Sequence, residues 1–425
     1  FSFFIFNNAD IFLVAKSTYQ KTDFLQFTTR TEGEKLMENE FNYDDMRPYH
    51  DDEVKATLEK LTNEPEFIHV LKFLYPNMDI DKLIQQLRSL NSIKEFQLQI
   101  IGPLILSIVQ KAKGVYTLNG MEQLSFDEKY LFISNHRDII MDAALLNTLF
   151  AEKGFDTTEN AIGDNLCTRP WISDVLKLNK SFLIKRNGTK RELFNAFVKQ
   201  STYIRETITQ ERKSIWLAQR AGRAKDSDDR TQESLLKMLT ISAKNNLRES
   251  FIELNITPIC VSYEYDSCDY LKAMEFQQKR DNPDFKKSEE DDVRSMQIGI
   301  TGYKGQMIYE VCQPINREIE QFIQPDDDRN TILNKIAQLI DNKIHLNYHL
   351  FPCNYIALDN LNNDSQFFGK HYTEEEKIKF EKYVDAQIEK IDWADKDIPF
   401  LKEKFWIMYA NPAINQFKAI SKCNL

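Results

Sequence analysis

The stretch "YLFISNHRDIIMDAALLN", residues 130–147, passes from an apolar run through a short polar turn into a helical pattern. Its first five residues, "YLFIS", have the composition of a buried strand. From Asp142 to Lys153 the pattern is helical, and it stops at Gly154. A strand handed directly to a helix is the unit from which parallel sheets with helices on their faces are built. In such sheets ligands gather beyond the C-terminal ends of the strands. His136 is therefore expected at the mouth of a crevice, with Asp142 in the first turn of the helix behind it.

The same alternation continues on the C-terminal side. "SFLIK" (181–185), "SIWLA" (214–218) and "ITPICVSYEY" (256–265) read as strands, and Lys190 to Arg212 reads as a helix. The expectation is an α/β fold with a mainly parallel central sheet flanked by helices. Residues 281–296, "DNPDFKKSEEDDVRSM", read as a solvated insertion, and "QIGITGYKGQMIYEVCQPI" (297–315) as a hairpin that adds an antiparallel edge.

Helical periodicity fills both flanks. "DDEVKATLEKL" (51–61) and "DIDKLIQQLRSL" (79–90) precede the core, and "FQLQIIGPLILSIVQKAKG" (96–114) reads as a core or membrane-surface helix pair interrupted at Gly102 and Pro103. Beyond the core, "TILNKIAQLIDNKI" is helical and "TEEEKIKFEKY" opens on a Thr373–Glu376 capping box. These readings divide the chain into an N-terminal helical region (37–115), an α/β core (116–320) and a C-terminal helical region (321–425). Residues 1–36 read as a poorly ordered leader, because the first methionine is Met37.

The 425 residues are 42% apolar and 28% charged, a globular composition, and the net charge of -10 argues against general nucleic-acid binding. The six cysteines show neither a C-x-x-C pair nor a zinc-ligand spacing and read as reduced thiols. Neither a metal nor a permanent cofactor is expected. His345 and His349 have the i, i+4 spacing of a metal pair but lack the glutamate of a zinc protease. "FSFFIFNNADIFLVA" at the N-terminus is too short to span a bilayer, which needs about 20 apolar residues.

Three explanations compete for "NHRDIIMD". A histidine after a strand is often a hydrogen-bonded structural residue. His-Arg-Asp also occurs in the protein-kinase catalytic loop, but Ala143 stands where that loop needs asparagine, and neither a glycine-rich phosphate loop nor D-F-G is present. The third explanation is a general base: a carboxylate on one ring nitrogen fixes the tautomer, leaving the other to deprotonate an alcohol.

The third explanation coincides with a resemblance to the glycerolipid acyltransferases, which include glycerol-3-phosphate and lysophosphatidic acid acyltransferases. Their signature histidine and aspartate, separated by four residues, are matched by His136 and Asp142 with five residues between them, and Asn135 matches the residue before the histidine. Asp138 is a second candidate for the carboxylate. A second block, "SFLIKRN", places Lys185 and Arg186 where the family meets the acceptor's phosphate. A third, "IWLAQRAGRAKD", matches at Gly222 and Arg223, with Ala221 in place of the family's glutamate and Arg220, Arg223 and Lys225 as phosphate-gripping cations. A fourth, "ITPICVSY", places Pro258 in the strand that lines the acyl-donor crevice. The longer His-to-Asp spacing resembles a bacterial subgroup of these enzymes.

From Lys185 to Lys225 there are eleven Lys and Arg against three Glu, a net of +8. Such a concentration would steer anionic substrates inward. The resemblance implies an O-acyltransferase moving a fatty acyl group from acyl carrier protein or coenzyme A to glycerol 3-phosphate or its monoacyl form, on the inner face of the cell membrane. Two alternatives remain open: O-acylation of an amino-acid-containing lipid, and a non-catalytic lipid-binding or scaffold protein of the same fold.

Overall fold

In the computed structural model, which describes residues 41–423 apart from 168, 244, 245 and 325, the central layer is a seven-stranded mixed sheet ordered β1-β7-β6-β2-β5-β3-β4. The expected leader, 1–36, lies outside the described residues. The strands are β1 (Val115–Asn119), β2 (Leu131–Ser134), β3 (Glu159–Gly163), β4 (Ser181–Ile184), β5 (Ile215–Ala218), β6 (Ile256–Tyr263) and β7 (Gln306–Val311). β6, β2, β5, β3 and β4 run parallel, so their C-terminal ends share one edge. β7 is antiparallel to β6, and β1 is parallel to β7. All four residues of β2 are buried, as in strands covered by helices on both faces.

The structure corrects the reading of 281–315. Residues 297–301 are not the first arm of a hairpin: they end a helix, Glu289–Thr301, and β7 is a single strand inserted between β6 and β1 rather than an edge. The helix is opened by a reciprocal box in which Ser288 Oγ accepts from the Asp291 amide and Asp291 takes the Ser288 amide. The high charge of 281–296 hid that signal, and Ser295 inside the segment is buried.

β3 carries no strand signature because Glu159 and Asn160 are polar. Both are buried, Glu159 against the Tyr203 hydroxyl and Lys213, and Asn160 against Asn147 and Thr158. Satisfied polar groups can occupy a core strand at little cost.

The interruption expected at Gly102–Pro103 is absent. Helix Ile93–Phe96 runs through a π-turn, Gln97–Ile101, into Gly102–Lys111. Within it the Gly102 amide bonds Gln97 O, five residues back, and Pro103, which has no N–H to donate, follows directly.

The N-terminal helices Asp51–Leu61, Pro65–Leu74 and Ile80–Ser89 bury Val54, Leu58, Leu83 and Leu87 together with Phe96. At the other end, helix Ile398–Cys423 buries Phe405, Met408 and Tyr409 against Phe380 and Val384. Among the described residues no helix is long and apolar enough to cross a membrane.

Candidate active site

β2 ends at Ser134, and the chain then turns through Asn135–Ile140 into helix α1 (Met141–Glu152). Asn135 fastens the start of the turn to the next strand. Its Nδ2 donates to Val261 O at 2.9 Å, and its Oδ1 accepts from Val261 N at 2.8 Å. The side chain thus substitutes for a continued sheet ladder and is wholly buried. It supports the turn.

His136 follows directly, its side chain about one-tenth exposed and its ring edge-on to Trp216 at 5.8 Å between centroids. His136 Nδ1 lies 2.7 Å from Asp142 Oδ2, and Asp142 is buried. The same Oδ2 accepts the amides of Arg137 at 2.6 Å and Asp138 at 3.0 Å, and Oδ1 accepts the Tyr263 hydroxyl at 2.8 Å. Four donors on one carboxylate satisfy both of its oxygens and fix its plane. The imidazole is thereby oriented with Nε2 as its remaining nitrogen.

Asp138 takes a different position. Its Oδ1 accepts the amides of Ile140 at 3.0 Å and Met141 at 2.9 Å, capping the helix, and its Oδ2 lies 3.9 Å from Lys304 Nζ. Of the two candidate carboxylates, Asp142 meets the ring.

Strand register places the basic candidates along the shared edge. Ser134 pairs with Ala218, and Gln219 N donates to Ser134 O at 2.8 Å, so Arg220 leaves the end of β5 beside the strand from which His136 emerges. Lys185 and Arg186 leave β4 two strands further on, about 14 Å from β2 at the sheet spacing. The Arg186 amide donates to Asp164 Oδ1 at 3.0 Å, and its side chain lies over Gly163, where a Cβ would meet Nε at 3.0 Å. Burial pulls the Arg186 guanidinium down from its ordinary range, against the charge of Asp164. Gly222 has a left-handed φ of +68°, which lets the β5 loop turn back without strain.

Arg223 and Lys225 differ in their surroundings: Arg223 Nη1 is buried with no hydrogen-bond partner among the described residues, whereas Lys225 is held in an ion pair. Arg223 is buried, where desolvation opposes its charge, while Cys268, Asp266 and Asp138 outweigh that cost. Lys225 is ion-paired to Glu275, which Lys279 and Lys287 also contact. Burial alone would raise the Glu275 carboxyl, but the surrounding ammonium groups hold it down at about 2. For Lys225 burial outweighs the shared carboxylate and pulls the ammonium down to about 7.

The local excess of positive charge is also partly spent elsewhere. Lys199 pairs with Asp45, Arg205 with Glu253, and Lys213 with Glu159 and Glu211. Those acids lie outside the window or fold back onto it, so a count along the chain overstates the local excess of positive charge.

Pro258 pairs with Ile133 in the middle of the sheet and is buried. His345 and His349 serve packing: His345 Nε2 meets Asp229 O at 2.8 Å, and the His349 ring packs on Phe351. Asp229 also pairs with Arg137 at 2.8 Å and accepts the Tyr348 hydroxyl at 2.6 Å.

Sequence reading missed Asp229, Tyr263 and Tyr309. Tyr263 closes the quoted fourth block and was visible there, whereas nothing local marks Asp229. A cleft of about 190 Å³ along Leu98, Ile101, Leu106 and Ala144 is separate, and His136 does not line it.

Residues 115–262 match the family model described as Acyltransferase. The crystal structure of a 1-acyl-sn-glycerophosphate (LPA) acyltransferase from Thermotoga maritima aligns at a TM-score of 0.34 and 10% identity, covering 68% of this chain and 91% of that one. No curated protein matches the sequence.

Proposed function

We propose that the protein, an acyltransferase by the family its residues 115–262 match, transfers a fatty acyl group from a thioester, acyl-ACP or acyl-CoA, to a hydroxyl of glycerol 3-phosphate or 1-acyl-glycerol 3-phosphate. The observation that carries this reading is the His136–Asp142 pair at the C-terminal edge of the parallel strands.

In this mechanism the acceptor hydroxyl gives its proton to His136 Nε2 as its oxygen attacks the thioester carbonyl. A C–O bond forms, the tetrahedral intermediate collapses, the C–S bond breaks, and the imidazolium returns the proton to the departing thiolate. Asp142 keeps the proton on Nδ1 and stabilises the imidazolium. The thioester is already an activated acyl group, so the step needs no metal or permanent cofactor. Arg220, one strand from His136, is the best-placed cation for the acceptor's phosphate, with Lys185 and Arg186 on the outer side of the edge.

The product is a lipid, which supports a protein acting at the inner face of the membrane. Ala221, in place of the family's glutamate, favours one second reading: O-acylation of an amino-acid-containing lipid.

The test offers purified protein labelled acyl-ACP and acyl-CoA with glycerol 3-phosphate, its monoacyl ester and a hydroxyl-bearing amino-acid lipid in parallel. Labelled product from a phosphate acceptor is expected. Product only from the amino-acid lipid would replace the acceptor. No transfer to any acceptor would favour a non-catalytic scaffold.

A further inference from the structure

Asp142 is gripped from a strand that the sequence did not connect to the site. Tyr263, the last residue of β6, donates its hydroxyl to Asp142 Oδ1 at 2.8 Å. Tyr309 of antiparallel β7 has its hydroxyl 3.2 Å from that of Tyr263 and 3.3 Å from Met141 O. A phenol has one proton. Because Tyr263 gives its proton to Asp142, the Tyr309 proton is shared between the Tyr263 oxygen and the carbonyl at the start of α1. The two phenols thus form a short relay, directed from β7 through β6 to the carboxylate.

We propose that Tyr263, braced by Tyr309, is a positioning residue for the transfer reaction: it holds the Asp142 carboxylate so that Oδ2 faces His136 Nδ1, and it draws off part of that carboxylate's charge. The inference rests on the reading of His136 as general base.

Without the Tyr263 donor, Oδ1 is left in a buried site without its hydroxyl partner, and the negative charge concentrates on Oδ2. The imidazolium is then favoured, so a higher pH is needed to free Nε2 for the acceptor's proton. The carboxylate also gains freedom to rotate. The groups that set the balance are few: His136, Asp142, Tyr263 and Tyr309, with Asp138 beside them and Lys304 3.9 Å beyond Asp138. Burial and the Asp142 charge hold both phenols protonated far above neutral pH.

The experiment compares wild type, Tyr263→Phe, Tyr309→Phe, Asp142→Asn and the Tyr263→Phe/Asp142→Asn double variant in acyl transfer from pH 5 to 9, with His136→Ala as a control. Tyr263→Phe is expected to lower kcat about tenfold with KM for both substrates unchanged, and to move the acid limb of kcat/KM to higher pH. Tyr309→Phe is expected to do the same to a smaller extent. In the Asp142→Asn background, loss of the Tyr263 hydroxyl should cost almost nothing further, since there is no carboxylate left to position.

An unmoved acid limb with wild-type kcat in Tyr263→Phe, or an equal loss in both backgrounds, would overturn the inference while leaving the role of His136 intact. If Tyr263→Phe does not fold, Tyr309→Phe alone decides, by the presence or absence of the same shift. Full activity in His136→Ala would instead remove the reading beneath it.

Discussion

His136 Nδ1 and Asp142 Oδ2 are 2.7 Å apart although five residues separate them, one more than in the enzymes the motif resembles. The extra residue is absorbed in the turn. Asp138 folds back onto the amides of Ile140 and Met141, so α1 starts late enough to bring Asp142 under the ring.

The two aspartates should therefore separate by assay. Asp142→Asn is expected to lower kcat by about 10²–10⁴-fold, through the wrong tautomer and a lost counter-charge, with little change in KM. Asp138→Ala removes the side chain that accepts the Ile140 and Met141 amides and should appear mainly as lost stability, on the order of 1 kcal/mol, in thermal unfolding.

The cations at the crevice should separate in the same way. Arg220→Gln is expected to raise KM for the phosphate acceptor about tenfold, the loss of one charge-assisted contact. Lys225→Gln, which breaks a pair with Glu275, should leave that KM unchanged. Initial rates against acceptor concentration distinguish the two.

Asp229 is the counter-ion of buried Arg137 and the partner of Asn135 and Tyr348. Asp229→Ala leaves the guanidinium buried without its carboxylate, which costs about 3–5 kcal/mol. Chemical denaturation should show this as one of the largest single-site losses among the residues that hold the 135–140 turn.

Glu275 provides a pH test of stability. Its carboxyl is held at about 2 in the fold against 4.5 in the free residue. The stabilisation is complete above the unfolded value and disappears as pH falls through the folded one. Urea midpoints measured from pH 6 to pH 3 should fall for the wild type and be flatter for Glu275→Gln, which starts lower at neutral pH.

The parallel core and the His136 turn were legible because each rests on local pattern: a four-residue buried strand, a helical period and a polar turn between them. β3 was not, since Glu159 and Asn160 are tolerated in a strand only by partners at Tyr203, Lys213 and Asn147 that folding brings in. The helix at 289–301 was hidden by its charge, although the Ser288–Asp291 box was in plain sight.

In the site, the identity of the paired carboxylate, the burial of Arg223 and the ion pair of Lys225 depend on contacts with Tyr263, Asp266 and Glu275 from later strands and helices. Periodicity along the chain carries no such information.

The most direct measurement is kcat for acyl transfer by His136→Ala beside wild type, with folding verified by matching unfolding midpoints. A loss of at least about a hundredfold at unchanged substrate KM is expected of a general base. Wild-type turnover by the folded variant would contradict it.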